Sequence, residues 1–79
     1  MRNSKVAEAW ANGDSAASQN MSTDGVDLYS YNLKIASRVD GLTRIWDYTA
    51  SGSFKSQTTS THVGHALRAA DGYSLLMVP

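Results

Sequence analysis

The dipeptide Asp40-Gly41 interrupts the most regular stretch of the chain. Asp-Gly between two alternating runs signals a two-residue hairpin turn, because type I′ geometry needs left-handed φ at both central positions. Before it, Tyr29, Tyr31, Leu33, Ile35 and Val39 alternate with Ser30, Asn32, Lys34 and Arg38. A period of two sustained over about ten residues predicts a strand, and residues 42–50 read as its return partner. A two-residue loop pairs Val39 with Leu42, then Ser37 with Arg44, Ile35 with Trp46, Leu33 with Tyr48 and Tyr31 with Ala50. The other face pairs Arg38 with Thr43, Ala36 with Ile45, Lys34 with Asp47 and Asn32 with Thr49. The first face is nearly all apolar and is expected to turn inward. The second is expected to be solvated, with Lys34 and Asp47 as a cross-strand charge pair.

The apolar face needs a cover. Residues 4–12 predict a short helix with Ser4 as cap, Val6, Ala9 and Trp10 on one stripe, and Gly13 at the stop. Asp14 or Ser15 could cap one further turn through Ala16-Ala17, and Thr23-Asp24-Gly25 is a turn signal. Ser51-Gly52-Ser53 reads as a turn and Phe54 to Thr58 as a third strand. Thr58, Thr59, Ser60 and Thr61 form a run of candidate caps. A second helix is predicted over residues 61–70, with Val63, Ala66, Leu67 and Ala70 buried and Gly72 as its stop. Residues 73–78 can form a last strand. The expected class is α+β: a small antiparallel sheet built on a central hairpin, about 28–39 and 42–50, covered by two short helices.

With 79 residues this is expected to be one domain, 1–79, with a modest core. Cysteine is absent, so no disulfide staples it, and a partner or homodimer formation is one way to add buried surface. Seven basic and seven acidic side chains cancel. That argues against a strongly acidic DNA mimic and against a strongly basic non-specific nucleic-acid binder. Glu8 breaks any signal-peptide apolar segment. The run Leu75-Leu76-Met77-Val78 falls far short of the ~20 residues of a membrane helix. A cytoplasmic protein with no membrane partner is the expectation.

Catalytic signatures are thin. His62 and His65 stand at i and i+3, a spacing that can place two imidazoles on one metal, but no third ligand is marked by position. Serines and threonines are plentiful, and none lies in a nucleophile-elbow pattern. Asp24 reads as a turn residue, Asp27 lies beside the sheet, and Asp47 reads as the partner of Lys34. Gly25, Gly41, Gly52, Gly64 and Gly72 are isolated, so no phosphate loop is present. The chain is therefore expected to be no enzyme and to need no cofactor and no metal.

Binding is the better reading. Residues 1–30 carry a net charge of −2 and residues 31–68 a net of +3. Lys34, Arg38, Arg44 and Lys55 could meet phosphates, with nearby hydroxyls assisting; their plain reading is a solvated sheet face. Tyr29, Tyr31, Trp46 and Tyr48 could stack bases or form a protein-binding patch. Trp46 and Tyr48 are expected in the core, and Tyr29 near an edge.

Three segments carry a resemblance: residues 23–31 (TDGVDLYSY), 33–36 (LKIA) and 56–62 (SQTTSTH). Together they resemble a widespread group of short, uncharacterised phage and prophage proteins with TDG-x-x-L-x-SY and S-x-TTS-x-H segments. Thr61 stands where that pattern commonly has Lys. The resemblance spans about residues 20–63 and implies a source rather than an activity. Small phage proteins of neutral charge commonly act by binding. The expectation is a non-enzymatic inhibitor or modulator of a host protein or protein–nucleic acid complex, a CRISPR effector or other defence system being the leading kind. Direct nucleic-acid binding is the alternative. The residues expected at the contact are Tyr29, Lys34, Arg38, Arg44, Lys55 and His62.

Overall fold

The computed structural model describes residues 2–38, 42–49, 56–70 and 77 in full, and the backbone of Val39 and of residues 74–76. The elements are α1 (Asn3–Asn12), β1 (Ala16–Ala17), β2 (Met21–Thr23), β3 (Asp27–Ser30), β4 (Leu33–Val39), β5 (Leu42–Trp46), α2 (Gln57–Ala69) and β6 (Ser74–Met77). The strands lie in one sheet in chain order. The first five pair antiparallel, and β6 pairs parallel to β5 after the α2 crossover. The fold is α+β. Both helices pack on one side of the sheet, and the thinnest dimension, 19 Å, is that of two layers.

The core lies between those layers. Val6, Ala7 and Trp10 of α1 and Val63 and Ala66 of α2 meet Met21, Leu28, Ile35, Ala36 and Ile45 from the sheet. The stripe foreseen on α2 is the packed one, with Leu67 and Ala70 at its margin. Among the described residues no helix is long and apolar enough to cross a membrane.

α1 ends where Gly13 predicts. Gly13 takes φ +81°, its N–H bonds to Trp10 O at 3.1 Å, and Asp14 N–H bonds to Ala9 O at 2.8 Å. This is a Schellman closure, which needs the left-handed φ that glycine accepts without strain. The start differs from expectation: Arg2 occupies the cap with no side-chain bond, so packing rather than capping holds the first turn. α2 begins earlier than predicted. The Ser56 hydroxyl accepts the Thr59 N–H at 3.1 Å, so Gln57 and Thr58 are helical rather than part of a third strand. Phe54 and Lys55, the turn at 51–53 and Gly72 lie outside the described residues.

The predicted hairpin register is present at four pairs: Val39–Leu42, Arg38–Thr43, Ser37–Arg44 and Ala36–Ile45. Its tip, Asp40-Gly41, lies outside the described residues. The ladder ends at Ala36–Ile45, short of the pairs foreseen further out. The long strand expected over 28–39 is instead two antiparallel strands. Ser30 pairs with Leu33, and Tyr31-Asn32 form a two-residue turn in which Tyr31 takes φ +56°. A tyrosine in left-handed backbone carries no turn signal in the sequence. Ala16-Ala17, read as a further helical turn, form β1, and Met21–Thr23 form β2.

The facing of the hairpin is also corrected. Leu28 pairs with Ala36 but Tyr29 with Lys34, leaving Ile35 as an extra residue in β4. This bulge turns consecutive Ile35 and Ala36 both inward, each 0% exposed. Beyond it the parity is reversed, so Ala36, Arg38 and Ile45 lie on the helix side and Leu42, Arg44 and Trp46 on the other.

The β2–β3 turn is built from its own side chains. One Asp24 carboxylate oxygen accepts the N–H groups of Val26 and Asp27, both at 2.9 Å. Those two bonds, Asp27's first, hold its carboxyl below the usual carboxylate range. Gly25 follows at φ +98°, where a Cβ would sit 2.6 Å from Gly13 O. Gly25→Ala should therefore cost about 2 kcal/mol or more in urea unfolding, from strained backbone plus the clash. An unchanged midpoint would contradict this contact between the turn and the end of α1.

Candidate binding surface on the helix-free face of the sheet

Alternation along each strand determines what the helix-free face displays. With Leu28 and Ser30 buried, Tyr29 points outward, as does Asp27. With Ile45 in the core, Leu42, Arg44 and Trp46 share the outer parity of β5. Met77, paired with Trp46, is half-buried beside it. Ser22 of β2 stands opposite Tyr29.

Asp27 organises the centre of this face. Its carboxylate accepts the Ser37 hydroxyl at 2.6 Å and the Tyr29 hydroxyl at 3.5 Å, and lies 3.5 Å from Lys34 Nζ. Lys34 thus pairs with Asp27 and not with Asp47. Asp47 is buried and accepts both the backbone N–H and the hydroxyl of Thr49. Arg44 is exposed and, among the described residues, has no carboxylate partner. Leu42 is 42% exposed. The result is a face with Tyr29 and Trp46 half-buried, Leu42 and Arg44 open, and one internal ion pair.

The structure separates the residues foreseen as contacts. Tyr29, Lys34 and Arg44 share the helix-free face. Arg38 lies on the opposite side: Nη1 donates to Ala11 O at 2.5 Å, and Nη2 to Trp10 O at 2.6 Å and Gly25 O at 2.9 Å. It closes the C-terminal end of α1, where a cation also complements the helix dipole. His62 is 1% exposed and so is not a surface contact in this fold. Lys55 lies outside the described residues. Trp46, expected in the core, is on the open face instead, while Tyr48 does pack against the core. Arg44 between Leu42 and Trp46 was the available sign that this parity faces water.

The buried polar network at His62 has the elements of a nucleophile and base. The Ser30 hydroxyl lies 2.6 Å from Nδ1, and the Asn3 amide nitrogen 3.1 Å from Nε2. Asn3 Oδ1 accepts the Ser18 hydroxyl at 2.5 Å. With the amide so placed, Nε2 accepts and Nδ1 carries the proton toward Ser30, the wrong direction for a base acting on that hydroxyl. Ser30 is itself 1% exposed and continues the chain to Thr59 Oγ1 at 3.3 Å. The network joins α1, the β1–β2 turn, β3 and α2. His65 is apart from it, with Nδ1 against Arg68 Nη2 at 3.0 Å. Among the described residues no group of three or more His, Asp or Glu side chains could hold a metal.

Two predictions follow from these geometries. Arg38→Met should lower stability by about 2–3 kcal/mol in urea unfolding, since carbonyls at the end of α1 lose a charged donor. Burial holds both histidines below their ordinary value of 6.5, with the neighbouring His65 adding to the effect at His62 and Arg68 at His65. The unfolded chain then binds more protons, so their contribution is complete above about 6.5 and lost as pH falls below it. The melting temperature should drop between pH 7.5 and 5, with a shallower drop in His62→Gln; a flat wild-type profile would contradict burial of the neutral ring.

No family model matches this chain, and no curated protein or solved structure shows significant similarity to it.

Proposed function

We propose that this chain is a small non-enzymatic binding protein that docks on a protein complex through the helix-free sheet face and inhibits or modulates it. The observation that carries the proposal is the grouping of Trp46, Tyr29 and Arg44 on the face that carries no helix among the described residues. Trp, Tyr and Arg are the residue types that dominate protein–protein binding energy. The long dimensions of the molecule, 28 by 28 Å, offer about the ~800 Å² per partner of a standard interface. The resemblance to phage and prophage proteins points to a bacterial host assembly as target, with a defence complex such as a CRISPR effector the leading kind.

A second reading uses the same face for single-stranded nucleic acid, with bases on Tyr29 and Trp46 and phosphates on Arg44 and Lys34. What favours it is the exposure of Arg44 beside Trp46. Against it stand the zero net charge, the engagement of Lys34 by Asp27, and the use of Arg38 inside the fold.

Affinity capture of tagged protein from a bacterial host lysate, with and without nuclease, separates the two. The protein reading expects one stoichiometric complex that survives nuclease and falls at least tenfold with Arg44→Glu combined with Trp46→Ala. Loss of all recovery on nuclease treatment, with a steep salt dependence, would transfer the assignment to nucleic acid. Recovery unaffected by the double substitution would remove this face from the contact.

A further inference from the structure

The turns β1–β2 and β3–β4 meet at one end of the sheet and enclose an open depression of about 280 Å³. Tyr31 stands beside it, 55% exposed, with its ring centroid 6.1 Å from that of His62. The Tyr31 N–H donates to Asn20 O at 2.8 Å, which ties the two turns together. The surrounding side chains include Gln19, Asn20, Ser22 and Asn32, and among the described residues no charged one lines it. Met21, at 2% exposure, offers almost no apolar surface there.

Tyr31 is held at φ +56°, a conformation that Asn or Gly would adopt with less strain. The turn geometry itself does not call for a ring, since a two-residue turn needs backbone conformation only, and the ring leans on His62. A strained residue whose ring touches His62 yet leaves more than half of its surface open points to a role for that open surface.

The lining selects the ligand by elimination. With no cation among the described lining residues the site does not favour a phosphate or carboxylate, and with no carboxylate among them it does not favour a cation. One aromatic ring amid amides is too little apolar surface for a lipid. Two properties remain: a π face and several amides that both donate and accept. A pyranose matches both, with C–H bonds over the ring face and hydroxyls toward Gln19, Asn20 and Asn32. We propose that the Tyr31 turn is a binding site for a neutral oligosaccharide. Ser22 borders both this depression and the sheet face proposed for the protein partner, but Tyr31, Gln19, Asn20 and Asn32 lie outside that face, so either site can fail without the other.

The test is titration of the ¹⁵N-labelled full chain, followed by amide shifts, with neutral trisaccharides of glucose, galactose, mannose and N-acetylglucosamine at millimolar concentration. A sialylated trisaccharide and adenosine serve as comparisons. At least one neutral trisaccharide is expected to give saturable shifts centred on Gln19, Asn20, Tyr31 and Asn32. Tyr31→Asn should fold cooperatively and weaken binding at least tenfold, whereas Tyr31→Phe should retain it. The proposal is overturned if no neutral trisaccharide binds, if only adenosine or the sialylated sugar does, if shifts centre on Arg44 and Trp46, or if Tyr31→Asn binds like the wild type.

Discussion

Arg38 ties the two layers of this protein together. Its guanidinium bonds to the carbonyls of Trp10 and Ala11 at the end of α1 and of Gly25 in the β2–β3 turn. Its own N–H bonds to Val26 O at 2.9 Å, and the Trp10 indole donates to the same carbonyl. One side chain from the sheet thereby fixes where α1 ends and how the turn beneath it sits. Helix-end carbonyls buried without donors are costly, and a charged donor satisfies them better than a neutral one. The same engagement removes Arg38 from the cations open to a partner.

The bulge at Ile35 decides what the molecule displays. By placing Ile35 and Ala36 both inward it feeds two consecutive apolar residues to a small core. It also shifts the alternation, so that β5 turns Leu42, Arg44 and Trp46 to the open side. Without that extra residue, the parity of Leu33 and Ile35 would carry Trp46 inward and leave Ile45 exposed. A single inserted residue thus separates a fold with an aromatic core from one with an aromatic, arginine-bearing outer face.

The polar network at His62 supplies the second link between the layers. Ser30 from β3, Asn3 from α1, Ser18 from the β1–β2 turn and Thr59 from α2 converge on or beside one imidazole, whose partners are all neutral. A chain with few large apolar residues thereby gains specific contacts among four segments without burying a charge. Ser30, Thr59 and His62 thus have a structural role in this network.

Much of this was legible in local residue order. Asp40-Gly41 specified the hairpin register because turn length alone sets which residues pair. Gly13 ended α1 because a left-handed stop is a one-residue property. The Val63–Ala66–Leu67 stripe marked the packed side of α2 through its period. The rest depends on partners distant in sequence. Tyr31 reverses the chain although tyrosine favours strands, because Asn20 receives its N–H and the sheet closes around it. Arg38 looks like a surface cation until α1, 27 residues away, presents its carbonyls. His62 looks like a helix-surface residue until Ser30, 32 residues earlier, comes within hydrogen-bond range. Residue order therefore determined how β4 pairs with β5 and where α1 stops. Only the tertiary structure decided which side of the sheet the helices cover, because that choice turns on a bulge whose parity shift no local periodicity records.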